Sequence, residues 1–302
     1  MKRGSWGALL GACLILLAGT ASASSLQFCD LPAVLNSAQQ DRMFRFAAVV
    51  RQVLQQSGTS AAIIARSGQN LDRFGQRYSH TGVALADSAN GPWSVRQLYY
   101  ACDEKLPRLF DQGVAGFISG TDKPDEGYVS LLLPTPEQAD ALARLALSNA
   151  EALRLLGADY SANAFPFSTR YQNCNQWVAE LLAAAWGPVA LQPEQPRERA
   201  QAWLSDHGYA PTLMDASAPW LALVKPFIPF VHDDDHPADE AASRRYRVSM
   251  PASIESLVRD NAPQVQRVEL CHAGTRVVVH RGWLPLGAGC EPGEGDEVLA
   301  LD

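Results

Sequence analysis

The chain has 302 residues, of which 47% are hydrophobic and 19% are charged, an ordinary globular composition with enough apolar residues for a sizeable core. Its formal net charge is −7, and this becomes −7 − 2 = −9 once Lys2 and Arg3 are removed with a leader. An acidic chain without a basic cluster argues against a nucleic-acid partner and against electrostatic docking on anionic lipid.

The first residues have the pattern of a secretory signal. Lys2 and Arg3 precede an apolar run, and Ala21-Ser22-Ala23 forms a small-residue cleavage site. We therefore expect residues 1–23 to be a signal peptide and the mature protein to be periplasmic or secreted. A lipoprotein anchored at Cys13 is the less favoured alternative, because Cys13 lies very early and more apolar sequence follows it. No later run is long enough for a transmembrane anchor.

Helix and strand signals alternate through the first half of the chain. A capping-box pattern at Ser37–Gln40 opens a helix through about Gln56. Strands follow at 61–66, 79–86 and 92–100, and Asn90-Gly91 joins the last two as a hairpin. Alternation in the third strand places Trp93, Val95, Gln97 and Tyr99 on one face. Residues 106–120 have the composition of a surface segment.

The second half carries three helices and then mostly strands. A strand at 128–133 precedes a long helix over about 135–157, a helix that begins near Cys174, and a short helix at 197–207. From about residue 222 an acidic stretch is followed by strands at 246–250, 266–272, 275–283 and 297–301. We expect an α+β domain over 24–222, and an acidic linker with a β-rich C-terminal region over 223–302. The late strands form either a separate lobe or part of the same sheet.

Export changes the interpretation of the cysteines, since an oxidising compartment favours disulfides. Five cysteines remain after the leader. Cys271 and Cys290 flank the last predicted hairpin and are the expected pair, and Cys29 with Cys102 is the second predicted pair. This leaves Cys174 as a thiol. Sequence does not fix connectivity, so the alternative in which Cys174 is bonded and another cysteine is unpaired stays open.

Cys174 has the position of a nucleophile. Asn173 is a good N-cap, which places Cys174 in the first helical turn, where unpaired N–H groups and the helix dipole stabilise a thiolate. A thiolate also needs a base and a group that orients the base. His80, at the mouth of its strand, is the candidate base, and the backbone N–H of Cys174 could contribute to an oxyanion hole.

Two stretches carry a resemblance to a known superfamily. Ser79–Leu85, SHTGVAL, resembles the histidine strand of circularly permuted NlpC-type papain-like proteins, and Asn173–Trp177 resembles their cysteine helix start. The order of histidine before cysteine is also the permuted one. The resemblance covers roughly residues 60–190. It implies a papain-like antiparallel sheet packed by helices, with a β-rich C-terminal appendage.

The same resemblance implies a chemistry and a set of roles. Cys174 matches the nucleophile, His80 the base, and Gln97 the third polar residue, with Ser94 and Arg96 as alternatives. The implied activity is a thiol-dependent hydrolase or acyltransferase acting on an amide or ester, with peptidoglycan peptides as one substrate class. No cofactor is needed for it.

The whole chain also resembles an exported bacterial family catalogued as domain of unknown function 2145. The stretches SHTGVAL, GPWSVRQL and RYQNCNQW carry that resemblance, and the family label supplies no activity.

A non-catalytic function competes with the enzyme hypothesis. The same fold could serve as a binding or scaffolding module for a peptide, lipid or protein of the cell envelope. The discriminating feature is whether Cys174 is a thiol within hydrogen-bond reach of His80. A metal site at His232 and His236, which flank three aspartates, is weighed against a solvated acidic linker, and the linker is favoured.

Overall fold

An antiparallel sheet of eight strands is the centre of the computed structural model, which describes residues 34–187, 194–225 and 228–301. The strand order is β10-β9-β8-β5-β1-β2-β3-β4. These strands are β1 (Ala61–Arg66), β2 (His80–Leu85), β3 (Ser94–Ala101), β4 (Leu106–Gln112), β5 (Glu126–Leu133), β8 (Gln266–Ala273), β9 (Arg276–Arg281) and β10 (Glu297–Ala300). A separate two-stranded sheet pairs β6 (Thr212–Asp215) with β7 (Arg245–Val248).

Helices cover both faces of the large sheet. The described helices of the chain are α1 (Ser37–Ser57), α2 (Val114–Ile118), α3 (Pro136–Leu147), α4 (Asn149–Arg154), α5 (Cys174–Trp186), α6 (Pro196–Asp206), α7 (Pro219–Val224), α8 (Ala238–Ser243) and α9 (Pro251–Asn261). The architecture is therefore α+β with a large antiparallel sheet, as the sequence predicts. Among the described residues, no helix combines the length and the apolar character that a membrane span requires.

Each face of the sheet has its own core, because successive strand residues point to opposite sides. On what we call the α5 face, α3, α5, α6 and α9 pack on residues such as Ile63, Val83 and Leu85. On the opposite side, the α1 face, α1 and α2 pack on residues such as Ile64 and Ala84. All six residues of β2 are buried, so this strand is enclosed on both sides.

Most predicted elements are present with small shifts at their ends. The capping box of the first helix lies one residue earlier than predicted, since Asn36 is the N-cap and its side chain accepts from the Gln39 amide at 2.9 Å. The predicted long helix is two helices, because the chain leaves the helical conformation at Ser148. The predicted surface segment 106–120 contains β4 and α2, and β4 is an edge strand with Phe110 exposed.

The C-terminal strands extend the same sheet, which was one of the two arrangements that the sequence left open. β8 pairs with β5 over eight residue pairs, from Glu126 with Ala273 to Leu133 with Gln266. The acidic stretch near residue 235 is packed instead of extended in solvent, since His236 is buried and α8 follows directly.

One of the two predicted disulfides is confirmed. Cys271 on β8 is bonded to Cys290 with a Cα–Cα distance of 5.6 Å, which fastens the turn at 288–290 to the sheet. The other predicted pair includes Cys29, which lies outside the described residues, as does the whole predicted signal peptide. The Cys29–Cys102 bond and the signal peptide therefore stay predictions.

Candidate functional site

Cys174 opens α5, as the capping pattern predicts. The side chain of Asn173 accepts from the backbone N–H of Gln176 at 2.7 Å, and its amide donates to the carbonyls of Ala162 and Ser249. Cys174 itself is 8% exposed and packs in the core of the α5 face. It is not part of a disulfide. The thiol therefore has the helix position of a nucleophile inside a largely apolar environment.

His80 and Gln97 meet, as the hairpin predicts. The His80 Nε2 atom lies 2.7 Å from Gln97 Oε1, and the Gln97 amide in turn donates to Gln112 Oε1 at 2.7 Å. In this network Nε2 carries the imidazole proton and Nδ1 carries the lone pair. Of the alternative third residues, Ser94 donates to the Gly91 carbonyl, and Arg96 donates to Asp111 and to the Ala146 carbonyl. Gln97 is thus the one whose side chain contacts His80.

The sheet separates these groups from the thiol. The His80 ring lies 5.8 Å from the ring of Phe117, which belongs to the core of the α1 face. Cys174 belongs to the core of the α5 face. That core also contains Val83 and Leu85 of β2, the strand that carries His80. The two elements do touch through their ends, since the Asn175 amide donates to the Ser79 carbonyl at 3.3 Å. The structure therefore places His80 and Gln97 together on the α1 face of the sheet and Cys174 in the core of the α5 face.

A buried arginine that sequence reasoning missed sets the electrostatics around His80. Arg66 is 3% exposed, donates to the Gly120 carbonyl and, at 2.9 Å, to the Tyr99 hydroxyl, and has no carboxylate among its described hydrogen-bond partners. Burial and then the charge of Arg66 lower the pKa of His80 to about 3. The signal for Arg66 was a single charged residue at the end of an otherwise apolar strand.

The low pKa of His80 limits its use as a general base. A general base works best when its pKa lies near the working pH, because it must both take and return a proton. With a pKa of about 3, His80 is neutral at pH 7 but holds a proton poorly. The arrangement therefore favours a structural hydrogen bond between β2 and β3 over proton transfer.

Gly82 is what allows β2 and β3 to pack closely beside His80. A Cβ atom at this position would lie 2.6 Å from Val95 Cγ1 and 3.0 Å from the Arg96 carbonyl oxygen. We expect Gly82→Ala to lower the free energy of unfolding by about 1–3 kcal/mol, because overpacking forces the strands apart. Gly113→Ala is the matched control, since no atom lies within 4 Å of its added Cβ. Urea unfolding of both variants measures the difference, and equal midpoints would contradict the packing argument.

The histidine-aspartate segment is engaged in protein contacts. His236 lies 2.9 Å from Glu240 Oε2 and 2.6 Å from the Asn163 carbonyl oxygen, while His232 stacks on Tyr171 at 4.6 Å. Within the ranges that the structure describes, no group of three or more His, Cys, Asp or Glu side chains is arranged to hold a metal ion. The solvated linker that the sequence favoured here is replaced by a buried polar cluster.

Comparison with known proteins gives one match. A family model described as "Uncharacterized protein conserved in bacteria (DUF2145)" covers residues 53–258, which is more than half of the chain. The chain belongs to the DUF2145 family. The match spans β1 through most of α9 and so includes His80, Gln97 and Cys174. No curated protein and no solved structure matches the chain. The DUF2145 assignment carries no activity, so function has to be argued from the site.

Proposed function

We propose that this DUF2145 protein is an exported, non-catalytic binding module of the cell envelope. The observation that carries the proposal is the placement of Cys174 and His80 on opposite faces of one sheet. A thiol hydrolase needs the imidazole within hydrogen-bond reach of the sulfur. Here β2 itself stands between the two side chains, and the pKa of His80 is far below the range of a working base.

Two features support the envelope location. Residues 1–23 have the pattern of a secretory signal, and the Cys271–Cys290 disulfide fits an oxidising compartment. The protein is then periplasmic or secreted, and its partner is a peptide, lipid or protein of that compartment.

A thiol hydrolase or acyltransferase of the permuted papain-like kind is the second candidate. It is favoured by the thiol in the first turn of α5 and by the His80–Gln97 hydrogen bond, which is the orienting contact that such enzymes use. This candidate requires a conformation in which His80 turns to the α5 face, or a base other than His80.

Thiol reactivity separates the two candidates. We expect native, non-reduced protein to react at Cys174 at least about tenfold more slowly than urea-unfolded protein, because a buried thiol in apolar surroundings is inert. His80→Asn should leave that native rate unchanged, as should the control His207→Asn on the exposed end of α6. The measurement is alkylation across pH with mass-spectrometric mapping of the labelled cysteine. Fast labelling of Cys174 that His80→Asn abolishes and His207→Asn does not would replace the binding module with the hydrolase.

A further inference from the structure

A polar pocket of about 480 Å³ lies between the β1–β2 loop, the start of β5 and the turn held by the Cys271–Cys290 disulfide. Its wall includes residues 67–70 of the loop, Arg77, Glu126, Tyr128 and Gly289. This volume lies within the range of about 300–1,000 Å³ that small-ligand sites occupy. Neither Cys174 nor His80 contributes to its lining, so the pocket is distinct from the site around those two residues.

Arg77 lies in the pocket wall, where its guanidinium is fixed by two contacts and has further N–H donors open. Its Nη1 atom donates to the buried Glu269 at 2.9 Å, and its guanidinium carbon lies 4.4 Å from the centroid of the Tyr128 ring. A guanidinium has five N–H donors in a rigid fork. Among the described residues, the other two guanidinium nitrogens donate to no protein acceptor. An arginine anchored in this way is suited to bind a carboxylate through two parallel hydrogen bonds.

Glu126 supplies the opposite charge at the same ring. The Tyr128 hydroxyl lies 3.0 Å from Glu126 Oε1 and 3.2 Å from the Gly287 carbonyl oxygen, two acceptors that share its single proton, and it accepts from the Cys290 amide. One hydrogen bond leaves most of the carboxylate's acceptor capacity open. Arg77 and Glu126 therefore place one cation and one anion around Tyr128.

The second charged pair of the wall does not change this balance. Lys123 lies 3.0 Å from Asp72 with both side chains more than half exposed, so each neutralises the other in solvent. The lining of the pocket thus has no net charge, and it offers a fixed donor fork on Arg77 and a carboxylate acceptor on Glu126. A ligand with only one charge would leave either the open donors of Arg77 or the open acceptor sites of Glu126 unused.

We propose that this pocket binds an α-amino-acid headgroup, with the ligand carboxylate on Arg77 and the ligand ammonium on Glu126. The proposal rests on the binding-module function and names its ligand class. The volume exceeds that of a small amino acid, so the headgroup can stand alone or end a longer chain.

Calorimetric titration of the folded protein tests the ligand class. The probes are alanine in both enantiomers, N-acetylalanine, alaninamide and Nε-acetyl-lysine. We expect alanine to bind with a micromolar to millimolar dissociation constant, and each singly blocked derivative to bind about tenfold or more weakly, because it loses one charge-assisted contact. Tighter binding of Nε-acetyl-lysine than of alanine would assign the headgroup to a longer ligand, and the reverse order to a free amino acid.

Variants assign each charge. Glu126→Gln should remove the preference for alanine over N-acetylalanine, and Arg77→Lys should remove the preference for alanine over alaninamide. Glu294→Gln and Arg73→Lys, which lie outside the pocket lining, should change neither ratio. Because Arg77 also neutralises Glu269, thermal unfolding of each variant checks its fold, and Glu126→Gln tests the proposal without touching that ion pair.

Two results would overturn the proposal: no heat with any probe up to about 10 mM, or equal binding of alanine and its blocked derivatives. Either result, with Cys174 inert, rejects the ligand and leaves the binding module standing. A Cys174 that reacts fast and depends on His80 rejects the binding module, whatever this pocket binds.

Discussion

Replacing Glu180 with glutamine is expected to lower the free energy of unfolding by about 3–5 kcal/mol, because it leaves a buried charge without its partner. Glu180 is fully buried on α5, and every group around it is a donor. Gln172 donates at 2.6 Å, Arg197 at 2.8 Å and 3.1 Å, and Gln201 at 2.7 Å. An amide at position 180 would turn an N–H group toward one of these donors.

Glu180→Gln is also expected to change the reactivity of Cys174, because Glu180 holds the loop that precedes the thiol. Glu180 ties α5 to α6 through Arg197, and to the loop before Cys174 through Gln172, which also accepts from the Gly157 amide at 2.8 Å. We therefore expect Glu180→Gln to speed native labelling of Cys174, since the loop that covers the start of α5 loses its anchor.

Urea unfolding measures the stability change. The matched control is Glu151→Gln, whose ion pair with Arg154 is on the surface and is expected to contribute less than about 1 kcal/mol. The double variant with Glu180→Leu and Arg197→Met should be more stable than Glu180→Gln, because it removes both charges together. A Glu180→Gln effect as small as that of the control would show that the cluster is not a buried ion pair in solution.

The second large effect is a loss of stability in mild acid. Burial lowers the pKa of His272 to about 4 and that of His80 to about 3, whereas an unfolded histidine titrates near 6.5. Below pH 6.5 the unfolded state therefore binds more protons than the folded state, and the free energy of unfolding falls as the pH falls. For two such histidines the loss between pH 7 and pH 5 is about 4 kcal/mol.

Single substitutions measure how much each histidine contributes to this loss of stability in acid. His272 is fully buried against Phe46, at 4.7 Å between ring centroids, and neither of its ring nitrogens has a hydrogen-bond partner among the described residues. His272→Leu should raise stability at pH 7 and, like His80→Gln, remove about half of the slope between pH 7 and pH 5. His207→Gln, at an exposed position, is the control. A free energy of unfolding that stays constant over this range would contradict the buried, neutral state of both rings.

The features that could be predicted from the sequence are those that depend on residues close to one another in the chain. The hairpin of β2 and β3 follows from Asn90-Gly91, the start of α5 from Asn173, and the Cys271–Cys290 bond from two cysteines around one hairpin. Each of these rests on residues that are neighbours in sequence or across one turn. For the same reason the contact between His80 and Gln97 could be anticipated.

The side of the sheet toward which His80 points could not be predicted in this way. Every residue of β2 is buried, so the strand has no alternation of polar and apolar residues that would show which face meets which helix. That choice depends on α1 and α2 covering one side and α5 the other, which is a property of the whole topology. Arg66 was missed for a related reason, since its partners are a carbonyl and a hydroxyl from distant segments.

The strand order also constrains how the polypeptide can reach its native state. β5 lies between β1 and β8, so one of its edges is filled by a segment that begins about 130 residues later in the chain. Until β8 has been synthesised and docked, one edge of β5 has unpaired backbone N–H and C=O groups along eight residues with mostly apolar side chains. Such an edge is a template for pairing with another copy. Local hairpins can form early, but closing the sheet requires a contact of high sequence separation and is correspondingly slow. Proteolytic loss of the last 40 residues would therefore release an aggregation-prone intermediate, not a smaller stable domain.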